Sequence, residues 1–318
     1  MAKETKKSCT FGPVPSQRLG KSLGIDFVPF KTCTYDCIYC QLGRTTVKTT
    51  DPIEYTPVEK ILGNVEKKLK TILRPDFLTL SGSGEPTLHS RLGDIIRRLK
   101  DRTDIPIAVL TNGSLFWHDE VLHSVSEADL VIPSLDGGDE QTFRAVNRPH
   151  RAISFEQMAG ELVTLREHFT GPLWLEVFLV KGINDSDTHL STIKAWIDRI
   201  APDRIQLNTA VRTPAEDFVE VVEKETLEAI AAFFGPTCEV IADYTKVHQI
   251  GEFRRTRDDV LEMLRRRPCS LDDIAEGLDL HRNEAVKYLE ELLDQRLIHK
   301  KKAGGQDFLS GGWKSYVK

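Results

Sequence analysis

Cysteine, long apolar runs and an excess of either charge are all scarce in this chain of 318 residues. Six cysteines are too few for a disulfide framework; in a reducing compartment they are expected as free thiols or metal ligands. No stretch approaches the ~18 apolar residues of a membrane span, and the longest, Leu173 to Val180, is broken by Glu176. The first residues, MAKETKKSCT, lack the apolar core of a signal peptide. A cytoplasmic protein with no membrane partner is therefore expected. Lys and Arg number 43 against 48 Asp and Glu, a net charge of −5. That excludes a polybasic nucleic-acid coat but leaves room for a local basic patch. The length suits about two domains.

Short apolar runs alternating with helical patterns fill the first 255 residues. The runs Leu23–Pro29, Phe77–Leu80, Ile107–Leu110, Leu130–Pro133, Leu173–Val180 and Arg204–Leu207 read as strands, most of them near-continuously apolar as buried parallel strands are. Helices are expected where Val58, Ile61, Leu62, Val65, Leu69 and Ile72 recur, at Leu92–Leu99, and over Phe155–Phe169, His189–Ile200 and Glu225–Phe234. Thr56 to Glu59 reads as a capping box with Pro57 at the first helical position. Six βα units imply a parallel sheet, open or curled.

The chemistry is concentrated in Lys31 to Cys40, KTCTYDCIYC. Cys33, Cys37 and Cys40 place three thiols within eight residues, enough to close on one metal centre. Structural zinc normally takes four ligands, and no fourth Cys or His follows in paired-motif reach. Three thiolates on a cubane cluster leave one iron open to an exogenous chelator. Cys9, Cys238 and Cys269 are isolated and read as ordinary thiols.

This C-x-x-x-C-x-x-C, with Tyr39 before the third cysteine, resembles the radical S-adenosylmethionine superfamily. The resemblance implies one 4Fe–4S cluster on Cys33, Cys37 and Cys40. It also implies S-adenosylmethionine chelating the fourth iron, and reductive cleavage to a 5′-deoxyadenosyl radical that abstracts hydrogen from a substrate. The loop Ser81 to Thr87, SGSGEPT, resembles that group's Gly-Gly-Glu turn, with Ser83 where a glycine is usual. Gly84 and Glu85 carry over, Glu85 as acceptor for the methionyl ammonium. Ser134 is expected at the methionyl end and Asn112 beside it, with Tyr39 also among the cofactor-binding residues. Residues 12–250 carry the match, and PVPSQRLGKSLG with VPFKTCTYDCIYCQLG is similar to the wyosine-synthase-like group. The fold implied is α/β, a partial (β/α)6 TIM-like barrel. An electron donor of the reduced flavodoxin or ferredoxin type goes with it.

Weaker candidates surround this set. Arg18 and Lys21 precede the first strand, and Arg212 follows the sixth. Lys181, Asn184 and Asp185 follow the fifth, as possible completion of the cofactor site. Glu176 inside an apolar strand is expected to point inward and be paired, since a lone buried carboxylate is costly.

From Thr256 the pattern changes. Helical stretches at Asp258–Arg266, Leu271–Leu278 and Arg282–Leu293 precede Leu297-Ile298, Lys300–Lys302, Gly304-Gly305 and Phe308-Leu309, which suggest a hairpin. Three helices and a hairpin make a winged helix-turn-helix domain, giving domains 1–255 and 256–318. Its 12 basic and 12 acidic residues cancel, whereas a phosphate-reading helix gains from being basic. Docking of a protein or peptide is therefore favoured over DNA or RNA. The substrate, from tRNA or nucleotide to peptide or small molecule, is not fixed by sequence. A reading of another class is an iron–sulfur redox or iron sensor with the winged helix as its DNA-binding output.

Overall fold

An antiparallel hairpin, β1 (Thr10–Ser16) and β2 (Gly20–Ile25), opens the fold. Two-residue strands β3 (Thr32–Cys33) and β4 (Val47–Lys48) then pair on either side of the cysteine loop. Helices and strands alternate after that: α1 (Val58–Leu69), β5 (Phe77–Leu80), α2 (Leu92–Lys100), β6 (Ile107–Thr111), α3 (Asp119–Ser126) and β7 (Leu130–Pro133). They continue as α4 (Glu140–Asn147), α5 (Phe155–His168), β8 (Trp174–Leu179), α6 (Asp187–Ile200), β9 (Arg204–Thr209), α7 (Lys224–Phe234) and β10 (Cys238–Val240). The last elements are α8 (Leu271–Gly277), α9 (Arg282–Asp294) and the antiparallel pair β11 (Ile298–Ala303) and β12 (Gln306–Gly311). The computed structural model describes residues 9–16, 18–212, 214–244, 257, 259–261, 263–264, 269–278, 280, 282–303 and 306–311.

Strands β2, β5, β6 and β7 run parallel in that order. Strands β8, β9 and β10 are also parallel. The bridges Val131–Leu173 and Ser134–Glu176 join β7 to β8 in the same sense. Side chains alternate across the strands. Val109, Val131, Leu175 and Leu207 meet the helices in the main core. Ala108, Leu130 and Ile132 face the other way and pack with Trp174 and Leu19, the latter from the β1–β2 turn. The next layer is polar, centred on Glu176. Above it Phe178 and Val180 pack with Ile38, against which Tyr39 also lies.

The expected strand Leu23–Pro29 stands instead at Gly20–Ile25. Its last apolar residues lie outside the ladder, where Phe27 O accepts the Thr56 hydroxyl at 2.9 Å. The expected capping box is not formed: α1 starts one residue later, with Pro57 as the N-cap and no side-chain bond. Strand β1 escaped detection because Pro13 and Pro15 remove ladder donors, tolerable at an edge strand, and its register shifts between Phe11 and Val14. The short α3, α4 and β10 were also not expected.

Of the expected helix Asp258–Arg266, residues 258, 262, 265 and 266 lie outside the described set, and positions 257, 259–261 and 263–264 are helical. Helix α8 carries the capping box of Ser270 and Asp273. Val260, Leu264, Ile274, Tyr288, Leu292 and Leu309 share an apolar cluster separate from the main core. The junction at Thr256, His248 and the Gly304-Gly305 turn lie outside the described residues. Among the described residues no helix is long and apolar enough to cross a membrane.

Candidate functional site

The cysteine loop leaves the carboxyl end of β2 and folds back on itself. Cys40 N–H donates to Cys37 O at 3.1 Å and Gly43 N–H to Cys40 O at 3.0 Å. The end of α4 holds it from the side, with Asp36 N–H on Asn147 O at 3.0 Å and Ile38 N–H on Val146 O at 2.9 Å. Every described cysteine is a free thiol. Burial pushes Cys33 up to about 12, helped by the Glu85 carboxylate and by Cys40. It lifts Cys37 well above the ordinary thiol value, with Asp136, Cys33 and Cys40 adding to it, and raises Cys40 as well. Asn112 Nδ2 lies 3.5 Å from Cys33 Sγ, and Asn147 Nδ2 3.5 Å from Cys37 Sγ. Among the described residues no three His, Cys, Asp or Glu side chains are drawn tightly enough together for a single metal ion. The trio is therefore not a preassembled one-ion site.

Glu85 ends the loop after β5 and is 3% exposed. Its Oε1 accepts from Thr111 Oγ1 at 2.5 Å, Thr87 Oγ1 at 2.7 Å and Thr87 N at 3.1 Å; Oε2 accepts from Asn112 N at 2.9 Å. Burial raises its pKa while these donors hold it down. One lone pair of Oε2 remains for a further donor. The carboxylate thus ties the ends of β5 and β6 together beside Cys33.

A second buried carboxylate lies after β7. Asp136 accepts the Tyr39 hydroxyl at 2.5 Å, Asn147 Nδ2 at 2.6 Å and Phe178 N at 2.9 Å. Burial lifts it to about 6 against the pull of these bonds. Tyr39 stacks on Phe178, centroids 3.8 Å apart. Asn184, fully buried, donates to Asp136 O and Phe178 O and accepts Val180 N–H. The thiols and both carboxylates thus meet where the parallel strands end, the usual place for a site in such sheets.

A profile of the Radical SAM superfamily matches residues 27–191, which contain the cysteine trio, Glu85 and Asp136. The chain belongs to the radical SAM superfamily. It is an enzyme of that superfamily, and membership implies a 4Fe–4S cluster and S-adenosylmethionine. A UPF0026 protein of Helicobacter pylori is 33% identical over 312 residues, covering 97% of this chain and 99% of its own. A Brachyspira hyodysenteriae protein named "GTPase Obg" is 37% identical over 303 residues, 94% of this chain; the match spans only 45% of that relative's length. More distantly, a tRNA 4-demethylwyosine synthase of Pyrococcus abyssi is 26% identical over 172 residues, 48% of this chain and 50% of its own. A radical SAM methyltransferase from Sphaerobacter thermophilus has the same fold over 70% of this chain and 66% of its own, with a TM-score of 0.51 and 15% identity.

The donor set fits the cluster that a radical SAM protein carries. The thiols are neutral because of burial and mutual repulsion, and iron would supply the positive charge that makes them thiolates. The amides of Asn112 and Asn147 are the sulfur-directed donors that support such ligands. Gly84 forms a close approach: a Cβ there would stand 2.4 Å from Thr32 O and 2.8 Å from Val28 Cγ1. Gly84→Ala is therefore expected to cost about 1–3 kcal/mol by overpacking. Gly63→Ala, where a Cβ meets nothing, is expected to gain about 0.5–1 kcal/mol as a helix substitution. Urea unfolding of the two variants checks this.

Several candidates are not part of this radical SAM site. Lys181 is exposed and paired with Glu223, and Asp185 caps its own turn at Gly182 N. Lys21 is exposed at the opposite end of the strands, beside Asp76. Arg212 Nη1 donates to Gln41 Oε1 at 3.1 Å, beside the loop and not at Glu85 or Asp136. Glu176 is paired as expected: Arg18 Nη1 lies 2.5 Å from its Oε2, and Asn208 Nδ2 donates to Oε1 at 2.9 Å. Arg18 is thus spent on Glu176. Sequence reasoning missed Thr34 and Asn147; no local pattern marks Asn147, which is brought in by tertiary contact alone.

Proposed function

We propose that this enzyme loads one 4Fe–4S cluster on Cys33, Cys37 and Cys40 and cleaves S-adenosylmethionine reductively, taking hydrogen from a substrate of the nucleotide or tRNA class, with a peptide or small molecule as the alternative. The cluster, when bound, supplies the electron that breaks the cofactor's C–S bond. The observation that carries the reading is the juxtaposition of three free thiols, two sulfur-directed amides and the buried Glu85 carboxylate at the strand ends. Glu85 offers the remaining Oε2 lone pair to the methionyl ammonium, with Gly84 permitting close approach and Asn112 fixing Glu85 from behind. Ser134, on the rim between β7 and β8, takes the methionyl end, and Tyr39, locked by Asp136 and Phe178, forms a wall of the cofactor pocket. The nucleotide class is favoured by the distant likeness to a tRNA 4-demethylwyosine synthase. The chain would then be a partial (β/α)6 barrel over residues 1–255 and a winged helix over 256–318 that docks a carrier of the substrate. It would work in the cytoplasm with a flavodoxin or ferredoxin type donor.

Anaerobic reconstitution followed by dithionite and S-adenosylmethionine is expected to release 5′-deoxyadenosine, read by mass spectrometry. Deuterated RNA fractions are expected to transfer label into that product, and deuterated peptide fractions are not. No 5′-deoxyadenosine from an iron-loaded protein would sink the proposal; label from peptides alone would move the substrate to the alternative.

A further inference from the structure

On the winged-helix reading proposed above, α9 would be the reading helix, the face a helix-turn-helix module turns to its partner. Here that helix meets the cysteine loop of its own chain. Glu290 Oε2 pairs with Lys31 Nζ at 2.5 Å, and Lys287 Nζ donates to Pro214 O at 2.7 Å. Both anchor points flank the cysteines. Lys31 lies two residues before Cys33; its N–H donates to Ser83 O at 2.6 Å, and its carbonyl accepts from Thr46 N and Val47 N at 3.1 Å each. Pro214 lies two residues beyond Arg212, whose guanidinium holds Gln41, the residue after Cys40. Glu216, in the same segment, takes Arg44 at 2.6 Å and Arg148 at 2.5 Å and donates its N–H to Ile38 O. Helix α9 therefore lies across the Cys40 side of the loop, gripping an arm on either side. Lys31 and Lys287 thus bring two ammonium groups to the Cys40 side of the loop.

We propose that α9 docks in cis over the Cys40 side of the cysteine loop and delivers Lys287 as a positioning cation that favours one-electron reduction of the cluster held there. The cation role rests on the cluster reading above; the docking does not. Three thiolates give the loaded loop an excess of negative charge, and the electron arriving from an external low-potential donor adds one more. An ammonium nearby stabilises the more negative state more strongly. Lys287 is partly buried, so salt screens it less than a surface charge.

Two measurements test this, one for each part. Zero-length carbodiimide coupling of the full chain, with or without iron, is expected to give a Lys31–Glu290 cross-link, found by peptide mass spectrometry. Its yield should match that of the exposed pair Lys194–Asp198, 2.5 Å apart on α6. If Lys194–Asp198 couples and Lys31–Glu290 does not, the docking is wrong. The second measurement is a redox titration of the loaded protein followed by electron paramagnetic resonance. At the wild-type midpoint, Lys287→Met is expected to lower the reduced-to-oxidised ratio about tenfold, the effect of one charge at partly screened range. Lys287→Arg should stay within about twofold. An unchanged midpoint in Lys287→Met, at full iron content, overturns the cation role. A wild-type chain that takes up no cluster overturns the cluster reading and the cation role with it, and the cross-link still decides the docking.

Discussion

Serine in place of Cys33, Cys37 or Cys40 is expected to reduce bound iron from about four atoms per chain, the content of one cubane cluster, to almost none. Alanine at Cys9, Cys238 or Cys269 is expected to leave it unchanged. The contrast follows from position. Cys9 and Cys269 are buried in apolar surroundings, and Cys238 lies in β10, packed against the main core. Only the trio shares a loop, a field and amide donors. Loss of a single thiolate leaves two ligands on a cluster that needs three, so the effect is all-or-none. Iron and sulfide analysis after anaerobic reconstitution decides it. Eight irons per chain, four of them lost on replacing Cys9 or Cys238, would contradict the single-cluster assignment.

Glu85→Gln is the second large effect. The substitution keeps the size of the side chain and removes its charge. A charge-assisted hydrogen bond contributes roughly 1.5–3 kcal/mol, so affinity for S-adenosylmethionine is expected to fall about tenfold to a hundredfold. The same change turns an amide toward one of the four donors that now converge on the carboxylate, which is expected to cost a further 1–3 kcal/mol or so of folding stability. Iron content should survive, because Glu85 opposes ionisation of Cys33 and its removal eases thiolate formation. Equilibrium dialysis, urea unfolding and iron analysis separate the three quantities. A stability loss with unchanged cofactor affinity would make Glu85 a tie between β5 and β6 and nothing more.

What the sequence made legible follows from which interactions are local. Phe77–Leu80 and Leu130–Pro133 stand where they were expected, because a strand covered on both faces is mostly apolar. Helices α2 and α5 repeat at helical spacing and start within a residue of expectation. Helix α4 was not expected: EQTFRAVN is mostly polar, and its best signal was the short-range cap of Asp139 on Thr142 N. Thr56 misled because the helix starts one residue later than the box requires, with Pro57 at the N-cap. In the site, spacing revealed the thiols and the loop motif revealed Glu85. Asn147 lies 110 residues from Cys37 and Asp136 lies 97 from Tyr39. Pairings of that reach exist only after the strands have been ordered.

The turn between β1 and β2 has a kinetic consequence. Leu19 and Arg18 rise from it beneath the strands, Leu19 among Ala108, Leu130 and Ile132 and Arg18 onto Glu176. The amino-terminal end of the strands is thereby filled by side chains. On the function proposed above, cofactor and substrate would both come and go at the other end, where the strands finish. A single way in would impose a queue: whichever molecule seats deeper would arrive first and depart last, and product-inhibition kinetics are expected to show compulsory order.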